Sequence, residues 1–220
     1  MQTTDTPQRP WLRHLYAGLS SLQLLLALLL LNFILLASPS IFSGIYDTLG
    51  FKESYSVHSH RIVSTLWQPE SDFADLPRIG RLFHPKEVKH YEDVRTILQR
   101  CLILLGVTTA LLLIQIRWIP WRLTLWYTTG TFIAIALSLV IWGLIDWKHL
   151  FTTLHWWLFQ NDSWRLPKGC ISLILYPYKV WQTTGAIFLI SLLAQLLLPL
   201  GIHSLYKRMR FKSQMTPTVS

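Results

Sequence analysis

Charged residues are scarce in this chain of 220 residues: Asp, Glu, Lys and Arg together make up 14% of it, where an ordinary soluble domain has about 25%. Only two cysteines are present, which excludes a small scaffold held by several disulfides. Acidic residues number 11 against 20 basic ones. The net charge of +9 fits either a nucleic-acid-binding protein or a membrane protein with basic cytoplasmic edges, and the hydrophobic residues decide between them.

Hydrophobic residues make up 51% of the chain, and they occur in four blocks that are long enough to cross a bilayer, which takes about 20 apolar residues. Arg100 is the one charged residue inside these blocks, and it lies close enough to a span end for its guanidinium to reach the interface. This pattern excludes a disordered chain and an ordinary cytosolic enzyme, and no nucleic-acid partner is predicted. We predict an all-α integral membrane protein, a single domain over residues 1–220, with four transmembrane helices at about 16–37, 97–116, 123–145 and 180–202.

The first block has some features of a secretory signal peptide, because Arg9 and Arg13 precede it and Ala37-Ser38 resembles a cleavage site. Its apolar stretch is longer than the roughly 7–15 residues of a signal-peptide core, and Pro39 disfavours cleavage there. We therefore predict a retained membrane anchor.

Four spans place both termini on one side of the membrane and two long loops, residues 38–96 and 146–179, on the other. The loop side has more Lys and Arg in total, but it also has ten of the eleven acids. The terminal side has eight bases, dense near the span ends, with Asp5 as its only acid. Since charges near span ends and in short connections dominate orientation, we predict cytoplasmic termini and two extracytoplasmic loops that contain short helical or interfacial segments.

The first loop ends in a polar stretch that leads directly into the second span. Residues 61–75 are rich in turn formers and are predicted to be irregular. Pro85 suits the first position of a helix and Glu87 suits its positive end, so a helix is predicted to run unbroken from there into the span. On this helix Glu87, His90 and Asp93 share one face, which places two carboxylates within reach of His90.

The second loop places His155 in a strip of aromatic residues that suits the membrane interface. A histidine on an apolar strip must have a hydrogen-bond partner or face water. Such a histidine is more often structural than catalytic, and aromatic pairs such as Trp156-Trp157 usually belong to the interfacial belt. Residue types alone therefore predict no more than an external polar site on a four-span protein.

Other chemical groups give weaker signals. His58 and His60 would point the same way on a strand, but no third ligand nearby completes a metal site, so neither a metal nor a cofactor is predicted. Cys101 and Cys170 lack a neighbouring base that would favour a nucleophile, and a disulfide between them is left open. The sequence contains no GxSxG, P-loop, HExxH or dinucleotide-binding motif.

Two stretches resemble the signatures of a bacterial integral-membrane family that includes the lipoprotein intramolecular transacylases. The first is Glu87-x-x-His90-x-x-Asp93-Val94, just before a span. The second is Leu150-Phe151-x-x-x-His155-x-x-x-Phe159-x-Asn161-x-x-Trp164-x-Leu166, followed by Leu173, Ile174, Tyr176, Pro177 and Trp181. The resemblance covers most of the chain, because the number of spans and the positions of both loops also agree.

The resemblance implies a membrane acyltransferase of the bacterial plasma membrane, with membrane lipid and a diacylated lipoprotein as partners. Enzymes of this family move the sn-2 acyl chain of a diacylglyceryl-modified cysteine onto the amine of the same cysteine. They depend on two histidines, which correspond to His90 and His155. The resemblance further implies supporting residues: Glu87 or Asp93 to orient His90, the potential oxyanion donors Tyr91, Asn161 and Tyr176, and Trp164 of the second signature.

The chemistry agrees with these residue types. A free α-amine has a pKa of about 8, so much of it is protonated and needs a base. An imidazole can take or give a proton near neutral pH.

The alternative belongs to another class: a non-catalytic membrane protein that binds lipid or assists the assembly of a complex. If the protein is an enzyme, replacing either histidine should abolish its activity while the protein still folds and inserts. If it is a scaffold, the same replacement should have an effect only as far as it lowers the stability of the protein. A transporter is less favoured, because the spans lack midplane charges and paired helix breaks. The oligomeric state is left open.

Overall fold

The computed structural model describes residues 10–68, 70–71, 73 and 83–215, with side chains up to residue 197. Within these ranges all regular secondary structure is helical, and no strand occurs. The helices are α1 (Pro10–Leu36), α2 (Pro39–Thr48), α3 (Glu53–Leu66), α4 (Pro85–Gln115), α5 (Trp121–Leu158), α6 (Ile171–Leu175) and α7 (Tyr178–Met215).

Four helices, α1, α4, α5 and the Tyr178–Leu197 part of α7, are long and apolar enough to cross a membrane. The predicted all-α fold with four membrane-spanning helices is therefore confirmed. The chain passes back and forth, so α2, α3 and α6 lie at one end of the bundle, here called the loop side. The short connection between α4 and α5 lies at the other end, the terminal side.

Helix α4 begins where the sequence predicts it. Pro85 is its first residue, and His84 is the N-cap, whose Nδ1 accepts a hydrogen bond from the Lys86 backbone N–H at 3.1 Å. The Glu87 carboxylate accepts a bond from the His84 backbone N–H at 2.7 Å, which completes a capping box. The helix then runs without a break to Gln115, so the predicted continuation into the span is confirmed.

Helix α5 contains a kink that divides it into two segments. As one straight helix its 38 residues would extend about 57 Å, nearly twice the roughly 30 Å of a hydrocarbon core. The kink is at Asp146, whose φ and ψ are −150° and 84°. The Asp146 carboxylate accepts a hydrogen bond from the His149 backbone N–H at 2.9 Å, so it caps the second segment, residues 147–158.

The first loop is more regular than the sequence analysis predicts. Residues 61–66 complete α3 instead of forming an irregular segment, while residues 69, 72 and 74–75 lie outside the described residues. The helix forms because Ile62, Val63 and Leu66 fall on one side of it and are buried. Burial against other helices therefore stabilises a helical segment whose own residues favour a helix only weakly.

A hydrophobic cluster on the loop side fastens this first loop to the spans. It consists of seven buried residues from α3, α4, α6 and the segment after α3. The Arg95 guanidinium of α4 donates to the backbone oxygens of Thr65 at 2.9 Å and Ser71 at 2.8 Å, and it lies 4.2 Å from the ring centre of Phe73. The members of the cluster are Ile62, Leu66, Phe73, Tyr91, Leu98, Ile171 and Leu175.

Helices α1 and α7 are joined inside the membrane by a buried polar group. Asn32 is only 2% exposed. Its side-chain N–H donates to Gln195 Oε1 at 3.0 Å, and its oxygen accepts from Ser191 Oγ at 2.5 Å. Since water is absent from the bilayer core, such bonds favour one helix pairing.

Replacing Asn32 should therefore weaken the bundle. We expect Asn32→Ala to lower the free energy of unfolding in detergent by about 1 kcal/mol, because the side chains of Ser191 and Gln195 lose their shared partner. The matched control is Ser138→Ala, since that exposed hydroxyl has, among the described residues, only the bond to the Ala134 carbonyl of its own helix. Equal unfolding free energies for the two variants would contradict the prediction.

Candidate functional site

His90 lies in the second turn of α4, where the cap at His84 and Pro85 fixes the start of the helix. Its ring centre is 4.9 Å from that of Phe159. The Nδ1 atom is buried and has no hydrogen-bond partner among the described residues. The imidazole is thus held by packing against aromatic neighbours.

His155 lies near the end of α5, beyond the Asp146 kink. Its ring packs among three aromatic side chains, with ring-centre distances of 3.8 Å to Phe151, 5.0 Å to Trp164 and 5.7 Å to Phe159. Its Nδ1 is 2.8 Å from the Phe151 backbone oxygen. A carbonyl oxygen only accepts, so Nδ1 carries the proton, and the neutral ring has its free lone pair on Nε2.

The two histidines meet at one cavity of about 410 Å³ on the loop side. Its size falls in the range of roughly 300–1,000 Å³ that is usual for ligand pockets. Phe159 contacts both imidazole rings, which ties α4 and α5 together beside the cavity. Most of the wall is apolar and includes Phe33, Leu36, Ile62, Val94, Leu173 and Phe188.

Glu87 is buried, with 1% of its surface exposed, and among the described residues its carboxylate bonds to other partners than His90. Its Oε2 accepts from the His84 backbone N–H, and its Oε1 accepts from the backbone N–H and the hydroxyl of Ser172, each at 2.7 Å. The predicted carboxylate–histidine bond is thus replaced by a bond to α6. Helical spacing places Glu87 near His90, but the three donors around the carboxylate fix its direction.

Asp93, the other candidate to orient His90, also has different partners. Its Oδ2 accepts from Asn161 Nδ2 at 2.9 Å and from Ser163 Oγ at 2.7 Å, and its Oδ1 lies 3.2 Å from Lys89 Nζ. These bonds fasten the segment after α5 to α4. Asn161 is not among the described residues that line the cavity, and its amide supports this segment through the bond to Asp93.

Tyr91 lines the cavity, but its hydroxyl is already used. It lies 2.6 Å from Ser172 Oγ, and the Ser172 proton is donated to Glu87. The Tyr91 hydroxyl must therefore donate to Ser172. The sequence analysis missed Ser172, which lines the cavity and is 5% exposed, because nothing in its local sequence distinguishes it.

Tyr176 and Trp164 are the remaining predicted polar groups on the cavity wall. Burial raises the pKa of the Tyr176 hydroxyl well above its ordinary value, and the nearby Tyr91 and Tyr46 raise it further, so the hydroxyl keeps its proton. The Trp164 indole nitrogen is buried without a partner among the described residues. The Trp164 N–H is therefore a donor without a partner among the described residues, whereas the Tyr176 hydroxyl already has a hydrogen bond with Tyr91.

The weaker candidates fall outside this cavity. His58 and His60 lie two positions apart on helix α3, so they point in different directions, contrary to the strand geometry that a shared metal ion would need. Among the described residues, no three His, Cys, Asp or Glu side chains come together as a metal site. Cys101 and Cys170 are both free thiols, and burial raises the pKa of the Cys170 thiol.

Comparison with known proteins gives two kinds of match. The sequence profile of one protein family, lipoprotein intramolecular transacylase Lit, matches residues 19–175 of this chain. The fold is similar to that of the membrane integral lipoprotein intramolecular transacylase Lit from Bacillus cereus, with 18% sequence identity and a TM-score of 0.69, covering 94% of this chain and 100% of that one. No curated protein sequence matches.

Two more structures of the Bacillus cereus enzyme match, in which one histidine is changed to arginine or to alanine. Both have 17% identity and cover 94% of this chain, with TM-scores of 0.67 and 0.66 and coverage of 96% and 97% of their own chains. At these identities the likeness establishes the fold.

The buried Glu87 carboxylate leads to a prediction about stability. We expect Glu87→Gln to lower the free energy of unfolding by roughly 1–3 kcal/mol. The substitution replaces one carboxylate oxygen with an NH2 group, which cannot accept a hydrogen bond from the His84 or Ser172 donor that it faces. The matched control is Glu92→Gln, since the Glu92 side chain is 49% exposed and makes only a long ion pair with Lys89. Unfolding in detergent measures the free energy of unfolding of both variants. Hydrogen exchange of the α6 backbone should become faster in Glu87→Gln only. Unchanged exchange there would contradict the role of the carboxylate.

Proposed function

Since this chain belongs to the lipoprotein intramolecular transacylase family, we propose that its two cavity histidines, His90 and His155, carry the proton transfers of that reaction. The protein is an integral membrane acyltransferase, and its family acts on lipoproteins. One observation carries the proposal: residues from two different helices, far apart in the sequence, converge on one largely apolar cavity. Such a cavity suits a substrate that combines acyl chains with a polar headgroup.

The proposed substrate is a diacylglyceryl-modified lipoprotein with a free N-terminal cysteine amine. The amine nitrogen attacks the carbonyl carbon of the sn-2 ester, the bond from that carbon to the glycerol oxygen breaks, and an amide forms. One proton leaves the nitrogen and one joins the glycerol oxygen, so the products are an N-acyl group and a free sn-2 hydroxyl. No oxidant, reductant or second substrate is needed.

The bonding of His155 favours it as the base. Because its Nδ1–H donates to the Phe151 carbonyl, Nε2 is the nitrogen that can take the proton from the amine. The carbonyl fixes both tautomer and ring direction, as the third member of a catalytic triad does. Burial lowers the pKa of His90 to about 4 and also lowers that of His155, so both rings begin neutral. The proton that His155 takes is passed to His90, which gives it to the leaving glycerol oxygen, and both rings return to the neutral form. The net change is one proton moved from nitrogen to oxygen.

Tyr176 and Trp164 are proposed to stabilise the negative charge that develops on the carbonyl oxygen. Both line the cavity. The Trp164 N–H lacks a partner among the described residues, and the Tyr176 hydroxyl would exchange its bond to Tyr91 for one to the oxyanion. A buried donor without an acceptor is unfavourable until a ligand supplies one. The apolar wall would hold the acyl chains, so that positioning supplies much of the rate enhancement.

We also propose that the loop side faces outward from the plasma membrane and that both termini are cytoplasmic. Arg13, Arg117 and Arg122 lie close to span ends on the terminal side, as the distribution of positive charge favours for a cytoplasmic face. In this orientation the histidine cavity faces the compartment that holds exported lipoproteins.

The central test replaces each histidine in turn. The chain is expressed with a defined diacylated lipoprotein in cells that lack other N-acylating enzymes, and the N-terminal peptide is read by tandem mass spectrometry. We expect His90→Ala and His155→Ala each to lower N-acyl, lyso-form product by about 100-fold or more, with unchanged membrane insertion. The matched control is His149→Ala, because His149 is exposed on the same helix as His155 and does not line the cavity.

Full activity in either cavity variant would refute its catalytic role. If the unchanged, well-expressed chain leaves the peptide diacylated, then this lipoprotein is not its substrate.

The orientation is tested by labelling single cysteines in a Cys101→Ser, Cys170→Ser background. Asp162→Cys reports the loop side and Trp118→Cys the terminal side, since both positions are exposed. In spheroplasts we expect a membrane-impermeant maleimide to label the first at once and the second only after lysis. The reverse pattern would show that the cavity faces the cytoplasm.

A further inference from the structure

The histidine cavity has an arm that extends along α7 into the membrane. Trp181, Thr184, Gly185 and Phe188 of this helix all line it. A helix rises 1.5 Å per residue, so the arm follows α7 for about 10 Å from Trp181 to Phe188. Because α7 starts on the loop side, Gly185 and Phe188 mark the end of the arm that lies deepest along the membrane normal, where Gly185 is exposed at the surface of the bundle.

Gly185 leaves the wall of this arm open. A Cβ added at this position would have no heavy atom within 4 Å, other than its own helix and neighbours. The glycine is therefore not required for close packing between helices. Since Gly185 borders the cavity, a larger side chain would enter space that a ligand can use.

Phe188 forms the end of the arm that lies farthest from the histidines along α7. It borders the cavity, and it also packs against a buried hydrophobic cluster from α1, α5 and α7. The residues of that cluster are not among the described residues that line the cavity, so Phe188 stands between the cavity and the cluster. The residues of this cluster are Leu25, Phe132, Leu192 and Leu196.

We propose that this arm holds the acyl chain that is transferred, and that Gly185 and Phe188 set the greatest chain length accepted. The inference rests on the proposed function and specifies its substrate further. To react, the carbonyl carbon of the sn-2 ester must lie beside His90 and His155. The chain attached to that carbon then extends into the apolar arm, while the sn-1 chain, whose ester does not react, lies outside it.

The experiment uses the full-length protein in nanodiscs with synthetic diacylated lipopeptides. One series varies the sn-2 chain length at constant sn-1 length, and a second series does the converse. The quantity measured is kcat/KM for N-acylated product at each length, by mass spectrometry. For the unchanged protein we expect kcat/KM to depend on sn-2 length and to be nearly constant across the sn-1 series.

The variants should shift this dependence in opposite directions. We expect Gly185→Leu to lower kcat/KM for the longest sn-2 chains about tenfold or more relative to the shortest, and Gly185→Ala to do so by less. Phe188→Ala should shift the preference towards longer chains, because the smaller side chain lengthens the arm. The matched control is Gly106→Leu: Gly106 is exposed on α4, has equal room for a Cβ and does not line the cavity, so the length profile should stay unchanged.

Three results would overturn the inference while leaving the proposed function intact. In the first, Gly185→Leu and Gly185→Ala both keep the original length profile. In the second, Gly185→Leu loses activity equally at every length, with Gly185→Ala unchanged. In the third, length dependence follows the sn-1 chain. Absence of N-acylated product from the unchanged protein overturns both proposals together.

Discussion

The arrangement of the site depends on the buried carboxylate of Glu87. A carboxylate removed from water is unfavourable unless donors surround it, and here it accepts bonds from the N-cap of α4 and from Ser172 at the start of α6. These bonds place α6 against the first turn of α4. Ser172 in turn accepts from Tyr91, one position after His90. The position of this histidine on the cavity wall therefore follows from one side chain that makes no direct bond to it.

The sequence predicts the parts of this structure that local signals determine. Four long apolar blocks can satisfy their backbone groups in a bilayer only as helices, and the Pro85 and Glu87 pattern marks the start of α4. The sequence does not predict what depends on distant contacts. The helical end of α3 forms because Ile62 and Leu66 are buried against other elements, and the direction of the Glu87 side chain depends on Ser172. In each case the partner lies on another segment, and no local pattern identifies it.

Two of the predicted supporting residues, Asp93 and Asn161, hold the segment that follows α5 against α4. Asp93 binds Asn161 and Ser163, and this attachment holds Phe159 and Trp164 against the imidazole rings. Helix spacing places Asp93 on the face that it shares with His90, and in the structure this carboxylate binds the second loop. The spacing cannot show whether a carboxylate contacts the histidine itself or the backbone segment beside it. Here the Phe151 carbonyl, and not a carboxylate, fixes the direction of the His155 ring.

The bonding of the other nucleophilic side chains agrees with the proposed mechanism, which relies on two histidines. The Ser172 hydroxyl donates to Glu87 and accepts from Tyr91, so its proton and one of its lone pairs are engaged. Burial raises the pKa of the Cys170 thiol, which lowers the fraction of reactive thiolate. A transacylation within one lipoprotein needs neither group, because the substrate brings both the amine and the ester. Once the cavity holds these two groups together, the attack is effectively unimolecular, and the chemical work left to the protein is to move a proton and stabilise an oxyanion.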